Sequence, residues 1–149
     1  MNYYMKFAYE ESLKGIKKEH GGPFGAVIVK NNKIISSAHN EVLKRKDPIC
    51  HAEVLAIQKA CKKLKTQNLN DCILYTTCEP CPMCLSAIIW ANISKVYYAC
   101  NRKDAEKIGF KDDLIYEYFK GTNDDILSLN SLNRDECLET FLKYQGKLY

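Results

Sequence analysis

Two short segments of the chain carry histidine, glutamate and cysteine at spacings that suit a metal ion. The first is His-Ala-Glu at residues 51–53, and the second is Pro-Cys-Pro-Met-Cys at residues 80–84. Cys81 and Cys84 are three residues apart, so at the start of a helix both sulfur atoms can face one point. The dipole of that helix lowers the thiol pKa and favours the thiolates that a metal requires. The pattern predicts a metal centre with His51, Cys81 and Cys84 as ligands.

The number of ligands indicates which kind of metal centre this is. Three protein ligands leave one corner of a tetrahedral zinc site to water, which is typical of catalytic rather than structural zinc. One zinc ion per subunit is therefore expected, and zinc lowers the pKa of its water toward neutrality. Glu53 lies two residues beyond His51. It is predicted to stand beside the open corner and to shuttle protons.

Other interpretations of the same residues remain open when each segment is taken alone. A single Cys-x-x-Cys could be a redox pair or half of a structural zinc site, with Cys78 as the only spare thiol nearby. A disulfide framework is disfavoured, since the N-terminus shows no secretory signal. The two segments in this order, each opening a predicted helix, favour the catalytic zinc site.

The periodicity of apolar residues predicts the elements that must position these side chains. Asn31 and Asn32 suit a two-residue hairpin turn. Residues 103–120 give no clear element, and residues 121–133 are expected to be loop. One right-handed parallel crossover fits between residues 72 and 99. The predicted fold is α/β, a three-layer α/β/α sandwich with a mixed central sheet. Helices are expected at 2–18, 51–63, 82–91 and 134–145, and strands at 24–29, 33–38, 72–76 and 95–99.

Composition limits the class of protein. The 149 residues suit a single domain spanning 1–149, and no apolar run approaches the ~20 residues of a membrane span. A cytoplasmic protein without a membrane partner is expected. The net charge of +4 is modest and its lysines and arginines are scattered. A nucleic-acid partner is therefore disfavoured, although the small basic clusters leave a phosphate-contacting patch as the alternative.

The two metal-binding segments together match the His-x-Glu…Pro-Cys-x-x-Cys signature of zinc deaminases. Nearly the whole chain resembles the cytidine deaminase-like superfamily. Within that superfamily it is similar to the bacterial guanine deaminases. The similarity lies in four stretches, at residues 22–27, 47–54, 75–84 and 109–116, and in the terminal Tyr149.

This resemblance implies a reaction and further site residues. The expected reaction is hydrolytic deamination of a free purine base, guanine to xanthine plus ammonia, with Glu53 as the shuttle. Asn40 would recognise the base by hydrogen bonds, and Asp112 would be a second catalytic carboxylate. Phe24 and Trp90 would form the apolar walls of the purine-binding pocket. Lys111 replaces an acid expected in that run, so Asp113 remains an alternative to Asp112. Asn40 could instead be a strand-end cap, and Phe24 and Trp90 could be core residues.

The resemblance also implies a homodimer. Its C-terminal segment, about residues 121–149, would be exchanged between subunits, and Tyr149 would close the partner's pocket over the base. A closed pocket excludes a ribose and so favours a free base over a nucleoside.

Three other functions compete with this one. A tRNA adenosine deaminase shares the zinc site but flips a base out of an RNA loop. A cytosine, cytidine or triazine aminohydrolase would use the same fold. A non-catalytic zinc scaffold would keep the ligands, but it would have no reason to keep an acid at Glu53.

Overall fold

A four-stranded sheet forms the centre of the first part of the chain. Its strands are β1 (Gly25–Lys30), β2 (Lys33–His39), β3 (Cys72–Cys78) and β4 (Lys95–Cys100). Their order in the sheet is β2-β1-β3-β4. β1 pairs antiparallel with β2 and with β3, while β3 and β4 are parallel. The sheet is therefore mixed, and its parallel pair is the crossover expected from the sequence.

The hairpin between β1 and β2 forms at the predicted turn. Asn31 and Asn32 have φ angles of 48° and 59°, the left-handed conformation that a two-residue turn of this kind needs and that asparagine tolerates. The register then shifts between Ile28 and Val29, which marks a β-bulge.

Helices cover both faces of this sheet. Ala26 and Ile28 of β1 pack in one apolar cluster with residues of α3 (Ala52–Leu64). Val27 and Val29, on the opposite face, pack with residues of α1 (Tyr3–Lys17). Because successive strand residues point to opposite faces, β1 serves both clusters. The predicted three-layer α/β/α sandwich is confirmed.

The helices of this part begin at recognisable caps. Asn2 accepts hydrogen bonds from two backbone N–H groups of α1, the usual role of an N-cap asparagine. Pro82 is the first residue of α4 (Pro82–Trp90), where its missing N–H costs nothing. The pattern did not predict two further helices, α2 (Val42–Arg45) and α5 (Arg102–Lys107).

The structure describes residues 1–148, and the chain divides into two compact units, Met1–Asp112 and Asp113–Tyr149. The second unit contains α6 (Asp113–Lys120), a single 3-10 turn (Asp124–Ile126) and α7 (Arg134–Lys143). The sequence predicted α7 within 134–145 but did not predict α6. The expectation of one domain with an exchanged segment stays a prediction.

No helix within residues 1–148 combines the length and the apolar character that crossing a membrane requires.

Candidate metal centre and pocket

Helix starts bring the three predicted metal ligands together. His51 is the N-cap residue of α3, and Cys81 is the N-cap residue of α4. Cys84 follows in the first turn of α4. His51 Nδ1 lies 3.6 Å from Cys81 Sγ and 3.5 Å from Cys84 Sγ. The three ligand atoms all lie within 4.8 Å of one another.

These distances test whether a zinc ion fits. Zinc bonds of about 2.3 Å to sulfur and about 2.0–2.1 Å to nitrogen, at the tetrahedral angle, place nitrogen and sulfur about 3.5–3.6 Å apart. The observed separations of His51 Nδ1 from the two sulfur atoms, 3.6 and 3.5 Å, match that edge. Two thiolates and one imidazole are also a donor set that zinc prefers. The residues present therefore fit the ion.

The three cysteines of this region differ in acidity. A hydrogen bond from Cys84, together with one from His51, lowers the pKa of Cys81 to about 4. The same contact with Cys81, with burial, raises the pKa of Cys84. Burial raises the pKa of Cys78 to about 12. Cys81 is thus favoured as a thiolate by the protein itself, while Cys78 stays a neutral thiol and is not drawn into the ligand set.

Glu53 is buried beside the ligand cluster. Its Oε1 accepts a hydrogen bond from Thr76 Oγ1 at 3.2 Å, and its Oε2 lies 3.5 Å from Cys84 Sγ. Burial raises the pKa of this carboxyl, which brings it closer to the range in which an acid can both take and return a proton near neutral pH. Thr76 fixes the side chain in that position.

A cavity of about 470 Å³ opens over the ligand cluster, within the size range of small-molecule sites. The predicted residues His51, Glu53, Cys81, Asn40, Phe24 and Asp112 all line it. Cys78 and Glu79 line it as well, together with residues that have no predicted role, chiefly Gly21, Gly22, Val42, Leu43, Pro48, Arg102, Ala105 and Phe110.

Asn40 is buried at the end of β2 with its carboxamide fixed in one orientation. Its Oδ1 accepts a hydrogen bond from the Val42 backbone N–H at 3.1 Å. The amide oxygen is therefore already used, and the Nδ2 group is left to donate to a ligand. A Cβ atom at Gly21 would lie 2.0 Å from Asn40 Oδ1, so only glycine fits against this side chain.

Asp112 lines the cavity, whereas Asp113 begins α6 in the second unit. Arg102 reaches the same oxygen of Asp112 twice, with Nε at 3.0 Å and Nη2 at 2.9 Å from Oδ1. Among the residues that the structure describes, Asp112 Oδ2 receives no hydrogen bond, so it is available as an acceptor. Glu79 Oε2 accepts from the Arg102 backbone N–H at 3.1 Å and anchors the same arginine.

Phe24 and Phe110 form one aromatic wall. Their ring centroids are 4.9 Å apart at an interplanar angle of 84°, an edge-to-face contact. Trp90, by contrast, is 70% exposed and is not among the residues that line the cavity. The buried positions of α4 include Cys84 and Ile88, four residues apart, and Trp90 falls two residues later on the other side of the helix. The structure does not bring Trp90 to this cavity, and its predicted role stays a prediction. Tyr149 lies outside the described residues.

Comparison with known proteins gives this architecture its class. Residues 1–100 match the family described as "Cytidine and deoxycytidylate deaminase zinc-binding region", and the chain belongs to this family of zinc-dependent deaminases. The zinc prediction and the superfamily resemblance are confirmed.

Within this family, the chain is similar to deaminases of guanine and of tRNA adenosine. The guanine deaminase of Bacillus subtilis is 52% identical over 114 residues, which are 76% of this chain and 73% of the relative. Its X-ray structure aligns with a TM-score of 0.88 and 40% identity, covering 100% of this chain and 99% of that one. A tRNA-specific adenosine deaminase of Aquifex aeolicus is 46% identical over 97 residues, 65% of this chain and 64% of the relative.

Proposed function

We propose that the protein hydrolyses guanine to xanthine and ammonia. The observation that carries the proposal is a zinc-fitting triad with a buried acid beside it, at a cavity whose mainly apolar walls carry a few polar side chains. Similarity to the Bacillus subtilis guanine deaminase over nearly the full chain supports this substrate. Guanine carries an exocyclic amino group next to ring nitrogens, which is the group such a site would replace by oxygen.

His51, Cys81 and Cys84 would hold the zinc. When bound, the ion makes a water molecule acidic enough to act as a nucleophile at neutral pH. Glu53 accepts the proton that this nucleophile gives up and passes it to the ring nitrogen beside the carbon under attack. The same carboxylate then takes the proton of the hydroxyl group now bonded to that carbon and delivers it to the amine, so that ammonia leaves and the carbonyl of xanthine remains. Thr76 holds Glu53 where both transfers can take place.

The walls of the cavity would select the base. Asn40 Nδ2 donates to an acceptor on the purine edge, because Asn40 Oδ1 is already bonded to Val42. Asp112 Oδ2 accepts from an N–H of the base and helps to move protons, and Arg102 keeps that side chain oriented. Phe24 packs against the flat face of the ring. A ligand with acceptors on one edge and donors on another is required, and guanine satisfies both.

We also propose that two copies associate, with the C-terminal segment of about residues 121–149 exchanged and Tyr149 closing the partner's pocket. Helix α7 supports this assembly, because Phe141 and Leu142 are 76% and 77% exposed and the helix has no buried residue. Light scattering should give twice the chain mass. Removing residues 145–149 should reduce turnover while zinc content and folding are kept. Unchanged turnover would reject closure by the tail.

A cytoplasmic role in purine metabolism follows from the substrate and agrees with the cysteines, all eight of which are free. Free thiols persist in reducing compartments.

The tRNA adenosine deaminases provide a second candidate, favoured by the 46% identity to the Aquifex aeolicus protein. Ammonia release should be measured with guanine, adenine, cytosine and guanosine, and with a tRNA anticodon stem-loop. We expect ammonia release from guanine and none from the stem-loop. Turnover of the stem-loop without turnover of guanine would assign the second function.

A further inference from the structure

Three side chains from three parts of the first unit form a hydrogen-bonded row beside the pocket. Glu11 Oε2 on α1 lies 2.8 Å from His39 Nδ1 at the end of β2. His39 Nε2 lies 2.8 Å from His20 Nδ1 in the loop after α1. We call Glu11, His39 and His20 the histidine relay. None of these residues takes part in the proposed reaction.

The relay is tightly packed at its centre. His39 is 7% exposed, and a Cβ atom at Gly15 of α1 would lie 3.0 Å from the His39 ring. His20 and His39 stack with centroids 5.1 Å apart. His39 Nδ1 faces the Glu11 carboxylate and His39 Nε2 faces His20 Nδ1, so the ring of His39 bridges the two other side chains. His20 is thereby tied to α1 through a buried ring.

The backbone of His20 connects the relay to the pocket. Its carbonyl oxygen accepts from the N–H groups of Leu43 and Lys44, both at 3.0 Å. These are first-turn N–H groups of α2, which have no partner inside the helix. The next such group, Val42 N–H, is taken by Asn40 Oδ1. His20 and Asn40 together therefore hold the start of α2.

The same stretch forms one side of the cavity. Gly21, Asn40, Val42 and Leu43 all line it, and we call these four residues the α2 wall. Gly21 follows His20 directly and passes so close to Asn40 that a Cβ atom would meet its Oδ1 at 2.0 Å. A shift of His20 would therefore move Gly21 against Asn40 and release the N–H groups of α2. The orientation of the Asn40 amide depends on where His20 is held.

We propose that Glu11, His39 and His20 are positioning residues for base recognition: they hold the α2 wall so that Asn40 Nδ2 faces the substrate. This inference rests on the proposed function. The wall contacts the base in the ground state and in the transition state alike, so loosening it raises KM more than it lowers kcat.

The test uses variants at two adjacent positions of α1 and one variant at His20. Glu11→Ala removes the anchor of the relay, and Glu11→Gln keeps an oxygen that can accept from His39. Glu10→Ala is the matched control, because Glu10 is an exposed residue whose ion pair with Lys6 is 3.9 Å long. His20→Ala breaks the relay at its half-buried end and serves if Glu11→Ala does not fold. Steady-state turnover of guanine and zinc content are measured for all four variants and the wild type.

Loss of one such hydrogen bond should raise KM about 5- to 10-fold in Glu11→Ala and His20→Ala. Zinc content and kcat should stay within about 2-fold of the wild type. Glu11→Gln should restore most of the affinity, and Glu10→Ala should behave as the wild type. Equal KM values for Glu11→Ala and Glu10→Ala would overturn the proposal. Loss of zinc or of kcat with unchanged KM would overturn it as well.

A second measurement separates this inference from the identity of the substrate. Amide hydrogen exchange at Leu43 and Lys44 reports the bonds to the His20 carbonyl without any ligand. Exchange should be faster in Glu11→Ala than in Glu10→Ala. Equal exchange would overturn the relay whatever the enzyme deaminates. Failure of the wild type to turn over guanine would instead reject the proposed function, and the exchange result would stand.

Discussion

Two clusters in the first unit could each hold a metal ion by residue type, but their geometry differs. His51, Cys81 and Cys84 form one, and His20, His39 and Glu41 form the other. The first cluster has nitrogen and sulfur atoms 3.5 and 3.6 Å apart, the edge of a tetrahedral zinc site. The second has its two ring nitrogens 2.8 Å apart. Two nitrogens sharing one tetrahedral zinc would lie about 3.3–3.4 Å apart, so this contact is a hydrogen bond.

The charges beside the second cluster also argue against a metal ion there. Glu41 Oε1 is bound by Lys44 Nζ at 3.0 Å, and Oε2 is bound by Arg45. Burial alone would raise the pKa of Glu41, but the hydrogen bonds from Arg45 and Lys44 lower it to about 2. A carboxylate already satisfied by two cations is a poor ligand. Residue types alone therefore suggest a metal site at both clusters. The spacing of the donor atoms and the neighbouring charges show that only the first one suits a zinc ion.

The largest expected effect would come from variants that break one cluster at a time. Cys84→Ser should reduce zinc from about one ion per chain to well below half and abolish turnover, since a tetrahedral site with two protein ligands binds weakly. His20→Ala should keep about one zinc. Elemental analysis of the two purified variants measures this difference. Equal zinc loss in both would show that the second cluster also holds the ion.

The next effect distinguishes the carboxylates that accompany the two clusters. Glu53→Gln should lower kcat/KM about 10²- to 10⁴-fold with zinc retained, because the amide keeps the contact with Thr76 but cannot carry a proton. Glu41→Gln should leave kcat within a few fold. Ammonia release with guanine provides the measurement. Activity that survives in Glu53→Gln would remove Glu53 from the mechanism.

A smaller effect is expected where an arginine holds an acid at the cavity. Arg102→Ala should lower kcat/KM about 10-fold, because Asp112 loses a charge-assisted pair of hydrogen bonds and its fixed orientation. Arg102→Lys should recover only part of this, since lysine cannot form the same fork. Arg134→Ala is the control, because its pair with Asp135 is exposed. If Arg102→Ala and Arg102→Lys had the same kcat/KM as the wild type, the activity would not depend on the pair between Arg102 and Asp112.

The smallest effect concerns stability and pH. Because the pKa of Glu41 in the folded state, about 2, lies below its unfolded value, its stabilisation is complete above about pH 5 and is lost as the pH falls toward 2. Lys44 and Arg45 are 46% and 48% exposed, so the contribution is only about 1 kcal/mol after screening. Urea unfolding of wild type and Glu41→Gln should differ by this amount at pH 7. A difference that does not shrink by pH 3 would contradict this assignment.

The sequence was most informative where local patterns have local causes. The helices beginning near His51 and at Pro82, the turn at Asn31 and Asn32, and the zinc-binding motif were all predictable, because caps, turn residues and ligand spacing lie within a few residues of one another. Asn101 and Asp104 form a capping box at the start of α5, a signal that could have revealed this helix. Nothing nearby, however, shows that Arg102 would reach Asp112.

The parts that escaped prediction depend on contacts between distant residues. Helix α2 is four residues long, too short to show a period, and is held by the carbonyl of His20. The histidine relay joins residues 19 and 28 positions apart.

His51 and Cys81 are each the residue immediately before the first turn of a helix. An ion bound there would join two packed helices at their first residues, so metal supply and resistance to unfolding become linked. Thermal melting of the protein should then depend on free zinc, rising with the logarithm of its concentration above the dissociation constant. Cells short of zinc would hold a less durable enzyme as well as a less active one.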